Sequence, residues 1–211
     1  MTRIFVARHG ETIWNAEGRI QGQSDPELSP KGYEQSQGLL GHLKTHSLSA
    51  IYTSTLQRSI VTAEPTARYF NLSIQKRHEL DEISFGILEG KLLLKGDEET
   101  LREWEKFKND RWAYRIPGAE NYTDVAHRVL RFYGKILQQH RDQEILVVGH
   151  RVVNRLLIGM LLDYTLEEAP SFEQTNDMIY SILKNGKTEV RYYADGKTGE
   201  GLVPMRRPAA L

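Results

Sequence analysis

The chain has no cysteine, which removes disulfides and thiolate chemistry from consideration. It has no apolar run near the roughly 20 residues needed to cross a bilayer. It also lacks an excess of either charge. Lys+Arg and Asp+Glu both number 28 among 211 residues, which argues against a general nucleic-acid or acidic-membrane surface. An anion bound here must be held by a local cluster. Before Arg8 and His9 the N-terminus offers only Ile4-Phe5-Val6-Ala7, too short for a signal peptide, so a cytoplasmic location is expected. On that expectation the glycosylation-like triplets at Asn71 and Asn121 are chance matches. Gly196-Lys197-Thr198 resembles the end of a phosphate-binding P-loop, but position 191 is Arg where that motif needs Gly, and it is rejected.

What is present is an alternation of strand-length apolar runs with segments of helical period, the pattern of an α/β fold. Strands are expected at Arg3–Arg8, Ala50–Ser54, Leu72–His78 and Glu144–Val148. Ser29-Pro30 reads as an N-cap and first helical residue, opening a helix to about His46. A second helix is expected over Leu56–Phe70, kinked or broken early at Pro65. Further helices are expected at Glu98–Asp110, Tyr122–Arg141 and Val152–Leu162. Residues 83–96, with three glycines and the run Lys91-Leu92-Leu93-Leu94-Lys95, read as a loop that is either a lid or a locally buried segment. Asn185-Gly186 between apolar-rich runs marks a hairpin. The expected organisation is one domain over residues 1–195 and a loose tail over 196–211.

Four polar clusters follow predicted strands: Arg8-His9-Gly10-Glu11-Thr12, Ser54-Thr55-Leu56-Gln57-Arg58, Leu80-Asp81-Glu82 and Gly149-His150-Arg151. Parallel α/β sheets bind ligands beyond the carboxyl ends of their strands. If these strands are parallel neighbours, two histidines, two arginines and a carboxyl group meet at one edge. Such a set suits phosphoryl transfer, which needs positioning and charge stabilisation. Arg8 and Arg58 can hold phosphate oxygens in paired hydrogen bonds. His9 can attack phosphorus as a neutral imidazole, Glu82 can exchange a proton with leaving group and water, and His150 can stabilise developing charge. Taken singly, each is more simply a strand end, a solvated helix residue or a loop acid, and Asp81, Glu79 and Glu89 compete with Glu82. His42, His46, His78, His127 and His140 share no spacing and read as surface or helix-face residues. Trp14, Trp104 and Trp112 read as packing.

The ordered motifs together resemble the histidine phosphatase (phosphoglycerate mutase-like) superfamily. They run from Arg8-His9-Gly10-Glu11-Thr12-Ile13-Trp14-Asn15 through Gln21-Gly22, Leu28-Ser29-Pro30-Lys31-Gly32 and Ser54-Thr55-Leu56-Gln57-Arg58-Ser59 with Thr62-Ala63. Leu80-Asp81-Glu82-Ile83, Phe85-Gly86, Glu89-Gly90 and Pro117-Gly118-Ala119-Glu120 follow, before the strand into His150. The resemblance implies a three-layer sandwich with a mostly parallel sheet between helices. It implies His9 as the phosphorylated nucleophile, Glu82 as proton donor, and Arg8, Arg58 and His150 as the phosphate pocket. Asn15, Gln21 and Gly22 match positions that shape the phosphate and substrate site. It further implies a phosphatase of a small phosphorylated metabolite, acting without metal or cofactor, with homodimers frequent among relatives. Bisphosphate-dependent mutases of the family tend to carry a longer insertion after Glu-Gly; here only 26 residues separate Gly90 from Pro117, which favours the phosphatase over the mutase. An inactive phosphate-binding regulator ranks below both. Gly149-His150-Arg151 departs from the usual Ser-His-Gly, leaving the Arg151 backbone N–H for the phosphate and its side chain within reach of substrate.

Overall fold

The structure is a computed structural model and describes residues 1–93, 96–165, 172–185 and 187–205. Leu94 and Lys95 of the Lys91–Lys95 run, Gly186 of the hairpin turn, and residues 206–211 lie outside the described residues.

In chain order the elements are β1 (Thr2–Arg8), α1 (Ile13–Glu17), α2 (Pro30–Leu43), β2 (Leu48–Thr53), α3 (Gln57–Phe70), β3 (Ile74–Lys76), α4 (Glu98–Asn109), α5 (Tyr122–Gln139), β4 (Glu144–Gly149), α6 (Arg151–Leu161), β5 (Ile179–Asn185), β6 (Lys187–Ala194) and β7 (Lys197–Glu200). They form one seven-stranded sheet in the order β3-β2-β4-β1-β5-β6-β7. The α/β sandwich is as expected, but its sheet is mixed rather than mostly parallel. β3, β2, β4 and β1 are parallel neighbours, whereas β5, β6 and β7 run antiparallel. The chain between β5, β6 and β7 is far too short for the crossover that parallel pairing requires.

β1 shows why the chain stacks in three layers. Its side chains alternate faces, so Ile4 and Val6 join a core with Val129 and Phe132 of α5 and Leu157 of α6. Phe5 and Ala7 join the opposite core with Leu39 and Leu43 of α2 and Ala63 and Ala67 of α3. All four of these β1 residues are buried.

Two expectations differ from the structure here. α3 is not broken at Pro65 but continues to Phe70, because Ile60, Ala63, Thr66 and Ala67 bury one continuous face and that packing outweighs one missing hydrogen bond. The loose tail is also partly ordered. Lys197–Glu200 pairs with Arg191–Ala194 as β7, Leu202 and Val203 pack against the core, and Pro204 bridges to Phe172. The polar, glycine-rich composition hid a strand whose partner is an already formed hairpin.

One close backbone crossing fixes the chain where it leaves the carboxyl end of β1. After β1 the chain passes over the first turn of α2, which is capped by Ser29 accepting from Gly32 N. A Cβ at Gly32 would lie 2.1 Å from the Glu11 carbonyl oxygen, and one at Gly10 would lie 2.5 Å from the Gly32 carbonyl oxygen. Gly32→Ala is therefore expected to destabilise the protein by about 1–3 kcal/mol through overpacking against backbone. Gly38→Ala, at an exposed position of the same helix with nothing within 4 Å of the added carbon, should stabilise it by up to about 1 kcal/mol through helix propensity. Chemical denaturation of the two variants tests the pair, and equal signs would contradict the crossing.

Candidate active site

Two strand ends set the geometry. The register of β1 against β4 pairs Arg8 with Gly149 and ends with His9 N donating to Gly149 O at 3.0 Å. That bond places His9 and His150 side by side, with ring centroids 5.1 Å apart. Both rings are buried, at 3% and 0% exposure. His9 Nδ1 lies 2.8 Å from Gly10 O. A carbonyl can only accept, so Nδ1 carries the proton and Nε2 keeps its lone pair. His150 Nε2 lies 2.7 Å from Ser54 Oγ, which in turn contacts Ser59 Oγ at 2.6 Å.

The loop carrying His9 is held from several sides. Gly10 N donates to Thr62 Oγ1 at 2.8 Å, Glu11 N to Gln35 Oε1 at 2.7 Å, and Asn176 Nδ2 to His9 O at 2.7 Å. Asn154, fully buried on α6, donates to Ala7 O at 3.0 Å and to Gln174 Oε1 at 2.9 Å.

A cavity of about 430 Å³ opens in front of the histidines. Arg8, His9, Asn15, Gln21, Gly22, Arg58 and Glu82 all line it, and His150 stands beside His9. Of the eight residues singled out from sequence, seven thus face one space and the eighth adjoins it. Arg58 is 2% exposed and is steadied by carbonyls: Nη1 donates to Ser24 O at 2.5 Å and Nη2 to Gly22 O at 2.7 Å. Arg8 Nη1 reaches Gln174 O at 3.4 Å. Asn15 and Gln21 reinforce the turn, Thr12 N donating to Asn15 Oδ1 at 3.2 Å and Thr12 Oγ1 to Gln21 Oε1 at 3.0 Å.

The competition among acids resolves by their partners. Asp81 accepts from Thr55 N and Thr55 Oγ1 and contacts His78 Nδ1. Glu79 faces Lys135 at 3.3 Å. Glu89 accepts from Gln23 N, Ser24 N, Ser24 Oγ and Phe85 N; burial opposes its charge, but these donors outweigh burial and hold its pKa below the usual range. None of the three lines the cavity. Glu82 does, and its carboxylate has only the Ile83 backbone N–H at 3.0 Å and a long contact to Val152 N. Arg128 clamps the segment beneath it, donating to Glu79 O and Glu82 O and pairing with Glu120. That gives Glu120, the last residue of the Pro117–Glu120 motif, a positioning task.

Charge sets protonation. Burial, then the Arg58 and Arg8 charges, holds the His9 pKa well below its ordinary value of 6.5. Burial, then Arg58 and His9, does the same at His150. Burial and the neighbouring Arg151 lower the Arg8 pKa to about 10. Side-chain nitrogens that are buried without a partner include Arg8 Nε, Arg58 Nε, His150 Nδ1 and Arg155 Nε. Unpaired buried donors are costly, and three of these nitrogens, on Arg8, Arg58 and Arg155, belong to residues that line the one cavity, an arrangement suited to an anion.

Several contributors escaped sequence reading. Ser54 was seen only as part of a motif, and Gln174 and Asn176 sit in an irregular segment with no periodicity to place them. His140 was read as a surface or helix-face residue. It is buried instead, between Tyr52 OH at 2.7 Å and Gln143 Oε1 at 2.6 Å.

Comparison with known proteins agrees with this arrangement. The model described as "Histidine phosphatase superfamily (branch 1)" matches residues 4–195. Phosphoserine phosphatase 1 of Hydrogenobacter thermophilus is 31% identical over 183 residues, covering 87% of this chain and 86% of that protein. "Probable phosphoglycerate mutase GpmB" of Salmonella choleraesuis is 32% identical over 162 residues, covering 77% and 75%. Among solved structures, the alpha-ribazole phosphatase of Shigella flexneri superposes with a TM-score of 0.80 at 25% identity, covering 99% of each chain.

The depressed histidine pKa values carry a stability consequence. Below about pH 6.5 the unfolded chain takes up protons that the folded rings refuse. Stability is therefore full above that pH and falls as pH drops towards the folded-state values, by up to about 1.4 kcal/mol per pH unit for each ring. Urea unfolding between pH 7.5 and 5 should show this slope, and His9→Asn should reduce it. An unchanged slope would mean that His9 titrates normally.

Proposed function

The chain belongs to the histidine phosphatase superfamily and is a phosphoric monoester hydrolase, and we propose that it hydrolyses a small phosphorylated metabolite through a phosphohistidine at His9, without a metal or cofactor. The observation that carries this reading is the tautomer of His9. Its Nδ1–H is committed to Gly10 O, its charge is suppressed by burial and by Arg58 and Arg8, and its Nε2 lone pair is available in a cavity rich in guanidinium groups.

The reaction then runs in two steps. His9 Nε2 attacks phosphorus as the ester P–O bond breaks, and Glu82, entering as the carboxylic acid, gives its proton to the departing alkoxide oxygen. Glu82, now a carboxylate, takes a proton from water as that water attacks phosphorus; the P–N bond breaks, and His9 and phosphate are released. Arg8, Arg58 and His150 stabilise the equatorial oxygens throughout. A dianion entering a site lined by Arg8 and Arg58 favours a protonated His150, so substrate binding itself supplies the condition for that ring to donate. The same two imidazoles lie beside guanidinium groups, whose charge repels a metal cation. Residence in the cytoplasm belongs to this reading; among the described residues no helix is long and apolar enough to cross a membrane.

Wild-type protein should hydrolyse p-nitrophenyl phosphate in the presence of EDTA, and His9→Ala should lower the rate roughly a thousandfold or more. Retained turnover in that variant would place the nucleophile elsewhere. Glu82→Gln should cost about 100-fold or more on an alkyl phosphate, whose leaving group needs a proton, and distinctly less on p-nitrophenyl phosphate, whose leaving group does not. Equal losses on both would remove Glu82 from the proton-donor role. Accumulation of an isomeric phosphoglycerate from 3-phosphoglycerate, in place of free phosphate, would show the mutase instead.

A further inference from the structure

α6 begins with an arrangement that costs stability. Arg151 is its first residue and Arg155 lies one turn later, so the two guanidinium groups share a face at i and i+4, where like charges repel. They also stand at the helix end where the backbone dipole favours anions over cations. Arg151 is exposed, and no ion pair to it occurs among the described residues. Arg155 donates to the Phe172 carbonyl at 3.1 Å and keeps a buried Nε without a partner; burial, then the charge of Arg151, depresses its pKa. The charges of Glu82 and Glu173 offset part of the repulsion at Arg155, but neither carboxylate forms an ion pair with it among the described residues.

Both arginines line the cavity that holds His9. Among the described residues of that lining, seven side chains are cationic and one, Glu82, is acidic. A phosphoryl group accounts for Arg8 and Arg58. Arg19 and Lys108 are paired with Glu17 and Glu105, and Arg111 lies over the Tyr122 ring at 5.6 Å. Of the remaining cations, Arg151 and Arg155 have neither an acid in ion-pair contact nor an aromatic ring beneath them among the described residues. The cavity, about 430 Å³, is of a size that accepts a small organic ligand. Phe85, Trp104, Phe107 and Tyr122 supply an apolar wall for its body.

We propose that Arg151 and Arg155 form a second oxyanion subsite, so that the preferred substrate is a compact phosphomonoester bearing a further carboxylate or phosphate. This rests on the phosphomonoesterase reading and narrows it. Arg151 directly follows His150, and Arg155 stands about 6 Å further along the helix axis. The second anion is thus only a few bonds from the ester phosphorus. Planar guanidinium groups engage either carboxylate or phosphate in paired hydrogen bonds, and binding there relieves the repulsion within α6.

The test is a ratio of kcat/KM within matched pairs. 3-Phosphoglycerate against glycerol 3-phosphate tests the carboxylate, and fructose 1,6-bisphosphate against fructose 6-phosphate tests the second phosphate. In at least one pair, wild-type protein should favour the doubly anionic member by about tenfold or more. Arg151→Gln should bring that ratio near one, Arg151→Glu should take it below one, and Arg155→Gln should lower it in the same pair. Wild-type ratios near one in both pairs, or ratios indifferent to Arg151→Gln and Arg151→Glu, would overturn the subsite. p-Nitrophenyl phosphate separates the two claims: its hydrolysis by wild-type protein with flat ratios defeats the subsite alone, whereas no hydrolysis of any ester defeats the enzymatic reading beneath it.

Discussion

The pairing of β1 with β4 is the constraint on which the active site rests. These strands are separated by most of the chain, yet their parallel register runs unbroken from Arg3 and Glu144 to Arg8 and Gly149. A slip of one residue would turn every β1 side chain to the opposite face, exchanging Ile4 and Val6 with Phe5 and Ala7 between two differently shaped cores. The cores therefore hold the register, and the register holds the imidazoles together. Catalytic geometry here is a by-product of apolar packing on both faces of one sheet.

Concentrating cations at that edge opposes folding, and the surrounding hydrogen bonds show how the cost is borne. Arg58 lies almost fully buried on the carbonyls of Gly22 and Ser24. The loop offering those carbonyls is fastened by Glu89, which accepts from the backbone of Gln23 and Ser24 and whose Oε1 lies 2.1 Å from where a Gly22 Cβ would stand. Gly22 has a φ of +55° as well, so both conformation and space require glycine. One half-buried carboxylate thereby supports the Arg58 guanidinium at one remove, through backbone and without direct contact.

Strand order and motif order made much of this legible in advance. Apolar runs ending in Arg8-His9, Ser54–Arg58 and Gly149-His150 announce strands whose carboxyl ends carry chemistry, and a parallel arrangement is the simplest way to bring them together. The β5–β6 hairpin was legible from Asn185-Gly186, but β7 was not, since Lys197–Glu200 has no apolar alternation and gains its structure from a neighbour. Contributions made by backbone or by irregular segments were invisible: the carbonyls under Arg58, the Gln174 carbonyl that accepts from Arg8, and the Asn176 amide that donates to His9 O. Arg155 left one trace, an Arg-x-x-x-Arg spacing directly after the second histidine, whose electrostatic cost becomes apparent only once both residues are known to share a helix at its positive end.

The chain between His9 and α2 closes upon itself. Thr12 bridges to Leu28, Ile13 N donates to Glu27 O, and Ser29 N donates to Glu11 O, so the two ends of this excursion are stitched together beside His9. The stretch between them, whose Gly18 to Gly22 face the cavity, is tied a second time at its far end, where Arg19 bridges to Leu92, Ile20 N donates to Lys91 O and Glu89 accepts from Gln23 N and Ser24 N. Side chains can change between these two anchorages to suit a differently shaped leaving group while the stitched base keeps the His9 ring where it is. A scaffold with that division of labour can diversify in what it accepts without renegotiating how it cuts.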